Sequence, residues 1–327
     1  MSINIFARCR FMLILAGCGL FPLAALPQNY PVKPIRVIIP FTPGGQLDQI
    51  VQLVGAKLTD AWGQQVYMEH RSGAGGVIGT AAAAKAAPDG YTLLLGSIGP
   101  SSVSPSLYSK LPYDPITDFT AISLAITYAN LLVVHPSVPV NSVQELIALA
   151  KTKPGQLNIA SSGTGTSSHL AGELLKQMAQ IDLLYLHYKG TLPALTDAMS
   201  GHVQILFGNV GPTLNLVKSG RLKALGVTSA KRSSVVPDVP TLAESGVPGY
   251  EVITWVGFWA PTGTPTDIIA KLNTEIVKAL QNPEVKATFL RQGVETAPTT
   301  PEEADTFLKS EIKKWAQVVK TAGITLD

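Results

Sequence analysis

Cysteine is nearly absent: among 327 residues only Cys9 and Cys18 occur, and both lie in the first 26. The chain after residue 26 therefore has no thiol nucleophile and no internal disulfide. Charge is also scarce, because charged residues make up 14% of the chain and the formal net charge is +3. Without a basic cluster, this composition gives no support for a nucleic-acid partner, and we expect none.

Metal and cofactor motifs are missing as well. The five histidines do not have the spacing of metal ligands. There is no G-x-S-x-G elbow and no P-loop, and the run GTGTSS at 163–168 ends in serine where a dinucleotide motif has glycine or alanine. We therefore predict no metal and no cofactor.

One long apolar run is present, at 11–26, and it follows the basic residues Arg8 and Arg10. Its 16 residues are few for a membrane span and are typical of an export signal, which we place at 1–26. The residues around Cys18 (LAGC) resemble a lipobox that would leave Cys18 lipidated, whereas cleavage near Ala25 would release a soluble protein. In either case we expect an exported protein.

The remaining chain, 46% apolar over its full length, alternates strand-like and helix-like segments. Short apolar runs at 35–40, 66–69, 91–96, 131–134, 157–160, 184–188, 203–207 and 222–228 predict strands. This alternation predicts an α/β fold with mixed, mostly parallel sheets flanked by helices. We see no internal repeat in the sequence.

The stretch 157–178 carries the clearest chemistry. A strand is followed by a loop of glycine, serine and threonine at 161–168, and a helix follows from His169. Glycines allow a ligand to approach the backbone, and a helix start offers free N–H groups to an anion. The loop predicts a site for a carboxylate or a phosphate; alternatively, its hydroxyls only cap the helix.

A second unit of this kind lies earlier in the chain. The strand at 35–40 is followed by FTPGGQLD at 41–48 and then by a helix. Asp48 in the first helical turn complements the helix dipole, fixes the loop or meets an amino group of a ligand. Ser97 ends another strand, and because ligands of open α/β sheets lie beyond the carboxyl ends of strands, Ser97 and this loop are expected to share one crevice.

His169, beside a serine-rich loop, also permits an exported serine hydrolase as an alternative function. Such an enzyme needs an acid that orients the histidine and an oxyanion site beside the serine. A histidine that pairs with Glu173 one turn on, or that acts as a structural donor, is the simpler interpretation, and we expect no enzymatic activity.

Nine motifs in order resemble the Bug family of periplasmic solute-binding proteins, the receptors of tripartite tricarboxylate transporters. They are YPVKPI at 30–35, FTPGGQLD at 41–48, GAGGVIGT at 73–80, APDGYTLLLGS at 87–97, LVVHPS at 132–137, ASSGTGTSSHLAGELL at 160–175, YKG at 188–190, PDVPTLAESGVPGYE at 237–251 and APTGTP at 260–265. The resemblance covers the whole chain after the export signal.

The resemblance implies a two-lobed, Venus-flytrap binding protein of type II. One lobe would comprise 27–127 and 253–327, and the other 128–252. A monomer would bind a small carboxylate between the lobes and deliver it to membrane transporter subunits; a receptor that senses the ligand for a signalling partner would have the same fold. The expected ligand-binding residues are Phe41, Thr42, Gly44, Gly45, Asp48, Ser97, Ser162, Gly163, Gly165, Thr166, His169, Tyr188, Thr191 and Asn209.

Two positions depart from the family pattern. His187 stands where members usually have proline before the tyrosine, and Ser72 follows Arg71 where they often have proline. His187 lies near the expected cleft, where it either meets an acidic or heteroaromatic ligand or faces solvent. The departure bears on which ligand is bound and not on the fold.

Overall fold

Ten strands form one mixed sheet in the computed structural model, which describes residues 30–323. The predicted export signal at 1–26, with Cys9 and Cys18, lies outside the described residues. The strands are β1 (Ile35–Ile39), β2 (Val66–His70), β3 (Thr92–Ser97), β4 (Phe119–Val134), β5 (Asn158–Ser161), β6 (Leu184–His187), β7 (Ile205–Asn209), β8 (Lys223–Val227), β9 (Ile253–Pro261) and β10 (Glu295–Thr296).

Helices connect most of these strands, and several begin with the cap that the sequence encodes. Their bounds are α1 (Gln46–Trp62), α2 (Val77–Ala84), α3 (Ser104–Leu107), α4 (Val143–Thr152), α5 (Ser167–Ala179), α6 (Thr191–Ser200), α7 (Val210–Lys218), α8 (Thr266–Gln281), α9 (Pro283–Leu290) and α10 (Pro301–Ala322). Short turns of 3-10 and π type precede α2 and α3 at Ala74–Gly76 and Gly99–Val103. At α10, Thr300 and Glu303 form the reciprocal capping box. The α/β prediction is confirmed.

Strand β4 joins two groups of strands. Its first part pairs antiparallel with β9 and β10, and its last five residues pair antiparallel with β7 and β8. In the first group β3 pairs with β9 and lies parallel to β1, so β1 and β3 run in the direction of β4. In the second group β5, β6 and β7 are parallel to one another and run against β4. The carboxyl ends of both groups therefore point toward the middle of β4, where one set of loops meets the other.

The structure differs from the sequence prediction in several elements: strands β9 and β10 and helix α7 were not predicted, and β4 is longer than expected. Strand β4 begins at Phe119, twelve residues before the predicted start at residue 131. Almost all of its residues are buried. A strand that is buried on both faces lacks the alternation of polar and apolar residues by which a half-exposed strand is recognised in a sequence. Helix α7 was missed because Gly211 and Pro212 in its first turn look like a turn, although proline is tolerated there.

Bulky aromatic residues fill the core between β9 and α10. Trp255 and Trp315 are fully buried, and both indole N–H groups donate to Oε2 of the buried Glu311, at 3.1 and 2.9 Å. A buried carboxylate thus ties the C-terminal helix to a strand that pairs with β4. Within residues 30–323 no helix combines the length and apolar character that crossing a bilayer requires.

Candidate functional site

The loop between β5 and α5 is folded by glycine and by its own hydroxyl groups. Gly163 and Gly165 have φ of +134° and +76°, values that other residues rarely adopt. Thr166 Oγ1 donates to the Gly163 carbonyl oxygen at 2.6 Å, and the Ser162 N–H donates to Ser168 Oγ at 2.9 Å. The three hydroxyls of Ser162, Thr166 and Ser168 lie within 2.9–3.2 Å of one another. Thr166 is the N-cap residue, yet its side chain makes no capping bond, so the hydroxyls shape the loop instead of closing the helix start.

His169 anchors this loop from inside. Its side chain is buried, and Nδ1 accepts the N–H of Gly165 at 3.1 Å. Burial, followed by the charges of His187 and Lys176, lowers the pKa of His169 to about 4, so the ring is neutral near pH 7. The predicted pairing with Glu173 is wrong, because Glu173 pairs with Lys176 at 3.3 Å. The histidine is an acceptor for the loop backbone, a role that a protonated Nδ1 cannot fill.

The loop between β1 and α1 has a corresponding anchor. Asp48 Oδ2 accepts the N–H of Gly44 at 2.8 Å, so the carboxylate fixes the loop as one of the predictions stated. Gly44 has φ of +93°, and Thr42, Gly44 and Gly45 are exposed. His70 Nε2 lies 3.5 Å from the same carboxylate oxygen. The loop thus presents backbone to solvent on one side and is held by a side chain on the other.

The two anchors are equivalent. Asp48 is the third residue of α1 and receives the N–H of the residue four before it; His169 is the third residue of α5 and does the same. Each anchored residue is a glycine at positive φ that lies directly before the N-cap position. This repeated unit is not apparent in the sequence, because the two segments, GGQLD and GTSSH, share little beyond their first glycine.

A set of close backbone contacts connects the two loops. A Cβ on Gly75 would lie 3.4 Å from the Thr164 carbonyl oxygen, and one on Gly99 would lie 3.1 Å from that of Gly165. A Cβ on Gly76 would lie 3.2 Å from Cζ of Phe41. The glycine turns at Ala74–Gly76 and Gly99–Val103 therefore lie between Phe41 of the first loop and the backbone of the second loop.

The other predicted site residues lie at strand ends or helix starts, and they differ in burial and in hydrogen bonding. Ser97 is buried at the end of β3, two residues before Gly99. The Tyr188 hydroxyl donates to Asp197 Oδ2 at 2.7 Å, and burial together with Asp197 raises the pKa of Tyr188 to about 12. Thr191 is the half-buried first residue of α6. The Tyr188 hydroxyl thus already donates its hydrogen bond to Asp197, which belongs to the same part of the fold.

Asn209 ends β7 opposite Asn130 of β4, a residue that sequence reasoning missed. Asn130 is fully buried, and among the described residues neither Nδ2 nor Oδ1 of its side chain has a hydrogen-bond partner. Unpaired buried amides are rare and mark places where water or a ligand supplies the missing bonds. The sequence signal for this position is one asparagine in the mainly apolar segment 119–134.

Two cations of the first group of strands already have an acidic partner. Arg36 and Arg71 both contact the carboxylate of Glu69, and these hydrogen bonds lower the pKa of Glu69. Residues 30–323 contain no group of three or more histidine, cysteine or acidic side chains that would hold a metal ion. What the loops offer is a set of neutral N–H and O–H donors at two helix starts, which suits an anion.

Comparison with solved structures places the fold in a known class. A protein of R. palustris determined with adipate is 36% identical, with a TM-score of 0.85, and the match covers 91% of this chain and 100% of that one. MatC from Rhodopseudomonas palustris with bound malate is 32% identical, with a TM-score of 0.81, and the match covers 89% of this chain and 100% of that one. The fold is that of the periplasmic solute-binding proteins, as the sequence resemblance implied.

Sequence comparison gives the family. The model for the tripartite tricarboxylate transporter family receptor matches residues 50–324. BugT of Bordetella pertussis is 38% identical over 300 residues, which span 91% of this chain and 92% of BugT. The chain belongs to the family of tripartite tricarboxylate transporter receptors, and the predicted membership of the Bug family is confirmed.

Proposed function

We propose that the protein is a non-catalytic periplasmic receptor that binds a small organic acid between its two glycine loops. The observation that carries the proposal is the pair of equivalent loops, each at a helix start and each fixed by an internal acceptor, Asp48 or His169. Hydrogen bonds from neutral donors to a carboxylate contribute roughly 1.5–3 kcal/mol each, so two loops suffice without a lysine or arginine. The adipate and malate in the two solved relatives support this ligand class.

Closure of two lobes would follow from the strand pairing. We place the boundary where β4 passes from β9 to β7, so that 27–127 with 253–327 forms one lobe and 128–252 the other. A ligand that contacts both loops stabilises the closed arrangement more than the open one and shifts the population toward it. The closed monomer then delivers its ligand to the membrane subunits of a tripartite tricarboxylate-type transporter. A signalling partner is the alternative recipient.

The geometry gives little support to a serine hydrolase. His169 Nδ1 is occupied by the Gly165 N–H. Ser161 Oγ lies 2.7 Å from Nδ1 of His187, but Ser161 is fully buried. In the part of the chain that the structure describes, no carboxylate forms a hydrogen bond with His187 to orient it as a base. A serine–histidine contact of this kind lacks the third group that activates a nucleophile.

A thermal-shift screen of the mature protein tests the function. The panel contains mono-, di- and tricarboxylates, amino acids and aromatic acids, with neutral amides of matched size as controls. A ligand at 100 times its dissociation constant raises the free energy of unfolding by about 2.7 kcal/mol. We expect stabilisation by a subset of the acids and none by the amides. Equal stabilisation by the amides would contradict the proposal. In a separate activity assay, sustained hydrolysis of an ester substrate would favour the serine hydrolase instead.

Thr166→Val is expected to weaken ligand binding about 5- to 30-fold. Valine matches threonine in shape, so the change removes the bond from Oγ1 to the Gly163 carbonyl, a loss of about 1–2 kcal/mol. Thr274→Val is the matched control, since Thr274 Oγ1 makes the same kind of bond on the exposed side of α8. Isothermal titration gives both affinities. Unchanged affinity for Thr166→Val would remove this loop from the site.

Asp48→Ala is expected to weaken binding about 3- to 10-fold, whereas Asp48→Asn should change it by less than about threefold, because a weaker acceptor for the Gly44 N–H is offset by the removal of a negative charge near the ligand. Alanine leaves the Gly44 N–H without its acceptor, whereas asparagine retains a side-chain oxygen at that place. Asp60→Ala, at an exposed position of the same helix, is the control. If alanine and asparagine at position 48 bind equally, the carboxylate does not act by holding the loop.

A further inference from the structure

A histidine lies behind each of the two loop anchors. His70 ends β2 and lies 3.5 Å from Asp48, and His187 ends β6 and lies against His169, with ring centroids 5.0 Å apart. Strand β2 is parallel to β1 and β6 is parallel to β5, so each histidine comes from the strand beside the one that feeds its loop. The repeated unit therefore includes a glycine loop, an acceptor in the first helical turn and a histidine at the neighbouring strand end.

His187 is exposed, as one of the two predictions for it stated, and its ring has three neighbours on the protein side. Its Nδ1 lies 2.7 Å from Oγ of Ser161, the residue opposite it in the β5–β6 register. The ring stacks on Tyr185 with an interplanar angle of 2° and meets the ring of His169 edge to face. The Tyr185 hydroxyl donates to the His169 carbonyl oxygen at 2.9 Å. His187, Tyr185 and Ser161 thus brace His169 from the sheet side.

We infer that His187 is a positioning residue for the carboxylate-binding loop: it holds His169 as acceptor of the Gly165 N–H and, when protonated, adds positive charge behind the bound anion. The inference rests on the proposed function, because the anion is the one proposed for the loop at 161–169. In addition to the proposed function, it predicts that the protein takes up a proton when the ligand binds.

The groups around His187 determine the direction of this effect. From α5 it is faced by His169 and Glu173, from β6 by Tyr185 and from β5 by Ser161. Lys176 lies one step away, with Nζ 5.3 Å from the centroid of the Tyr185 ring. Partial burial of the imidazole against Tyr185 and His169 lowers the pKa of His187 below its ordinary value, although the residue as a whole is exposed, and Glu173 makes a smaller opposing contribution. A carboxylate on the loop stabilises the protonated ring and raises that pKa in the complex. The complex therefore binds more protons than the free protein between the two pKa values, and affinity increases as the pH falls through that range.

Isothermal titration with malate and adipate from about pH 8 to about pH 6, above the range in which ligand carboxyls mainly titrate, tests the inference. The full mature protein is compared with His187→Gln and with His135→Gln. His135 is the matched control because its Nδ1 also lies 2.7 Å from a serine hydroxyl, that of Ser137, at the opposite end of the second group of strands. Repeating the titration in buffers of different ionisation enthalpy counts the protons taken up.

We expect binding by the unmodified protein to tighten roughly 3- to 10-fold from pH 8 to pH 6, with up to one proton taken up. The His135→Gln variant should behave in the same way. The His187→Gln variant should bind with an affinity that changes less than about twofold over this range. Affinity independent of pH in the unmodified protein, or a pH dependence that persists in His187→Gln, would overturn the inference while leaving the receptor function intact.

Amide exchange provides a readout that does not depend on the ligand. Because His187 braces His169, the Gly165 N–H should lose protection at least about threefold in His187→Ala and not in His135→Ala. If neither acid binds, the proposed ligand class is wrong for these two compounds, and the exchange result alone decides whether His187 positions the anchor. Unchanged Gly165 protection in His187→Ala would exclude the positioning role.

Discussion

His169→Asp should lower ligand affinity about 30-fold or more while leaving the loop in place. Aspartate in this position reproduces the arrangement at Asp48, where a carboxylate accepts the N–H of the glycine four residues before it. The loop would keep its anchor, but a negative charge would replace a neutral ring behind the bound anion. At an effective dielectric constant of about 20, two like charges about 4–8 Å apart repel by roughly 2–4 kcal/mol.

His169→Asn is the matched control, because asparagine has the shape of aspartate and offers a neutral acceptor to Gly165 N–H. Its affinity should stay within about fivefold of the unmodified protein, as measured by titration calorimetry near pH 7.5. If the aspartate and asparagine variants bind equally well, the anion does not lie over this anchor. If both lose binding completely, the imidazole itself is required and the anchor is not simply an acceptor.

The same residue gives a dependence of stability on pH. The pKa of His169 is about 4 in the fold and about 6.5 when the chain is unfolded. The unfolded chain therefore binds the extra proton first, and the contribution of the neutral ring is complete above about pH 6.5 and is lost as the pH falls to about 4. The loss is up to about 3 kcal/mol, and it should be absent from this interval in His169→Asn when unfolding by urea is followed at several pH values.

Glu311→Ala should lower the free energy of unfolding by about 3–5 kcal/mol, a large share of the stability of an ordinary protein. Two buried indole N–H groups, of Trp255 and Trp315, would lose the carboxylate oxygen that accepts both of them. Alanine also leaves a void, since Glu311 is only 7% exposed. Lys314 Nζ, 3.5 Å from the other carboxylate oxygen, would lose its ion pair, a minor effect.

Glu311→Gln retains an acceptor oxygen of nearly the same size, and we expect it to cost only about 1 kcal/mol. Urea unfolding followed by tryptophan fluorescence measures both variants. A loss below about 1.5 kcal/mol in the alanine variant, or equal losses in the two, would show that the indoles find other partners. Because Trp255 lies on β9 where it pairs with β4, its fluorescence also monitors the region in which the two groups of strands join.

Local patterns predicted what local interactions determine. The glycines of the loops at 41–48 and 161–168 were identifiable because positive φ and close backbone approach leave glycine as the usual choice. The capping box at Thr300 is encoded locally, because its two hydrogen bonds join residues three apart. The α/β class followed from the order of apolar runs.

Contacts between distant residues were not predictable in this way. Nothing local indicates that His187 braces His169, since the contact depends on β6 lying beside β5. The neighbourhood of Gly75 and Thr164 likewise depends on the tertiary fold. The roles of Asp48 and His169 as equivalent acceptors became visible only in three dimensions, because the side chains differ and only their positions correspond.

The most direct test of the central claim is a calorimetric titration of the mature protein with the acid that stabilises it most in the thermal screen, and with the neutral ester of that acid. Two loops of neutral donors at helix starts should bind one molecule of the acid per chain, and the ester should bind at least about 100-fold more weakly because it brings no negative charge. Binding of the ester with an affinity similar to that of the acid would contradict the account of these loops as a carboxylate site.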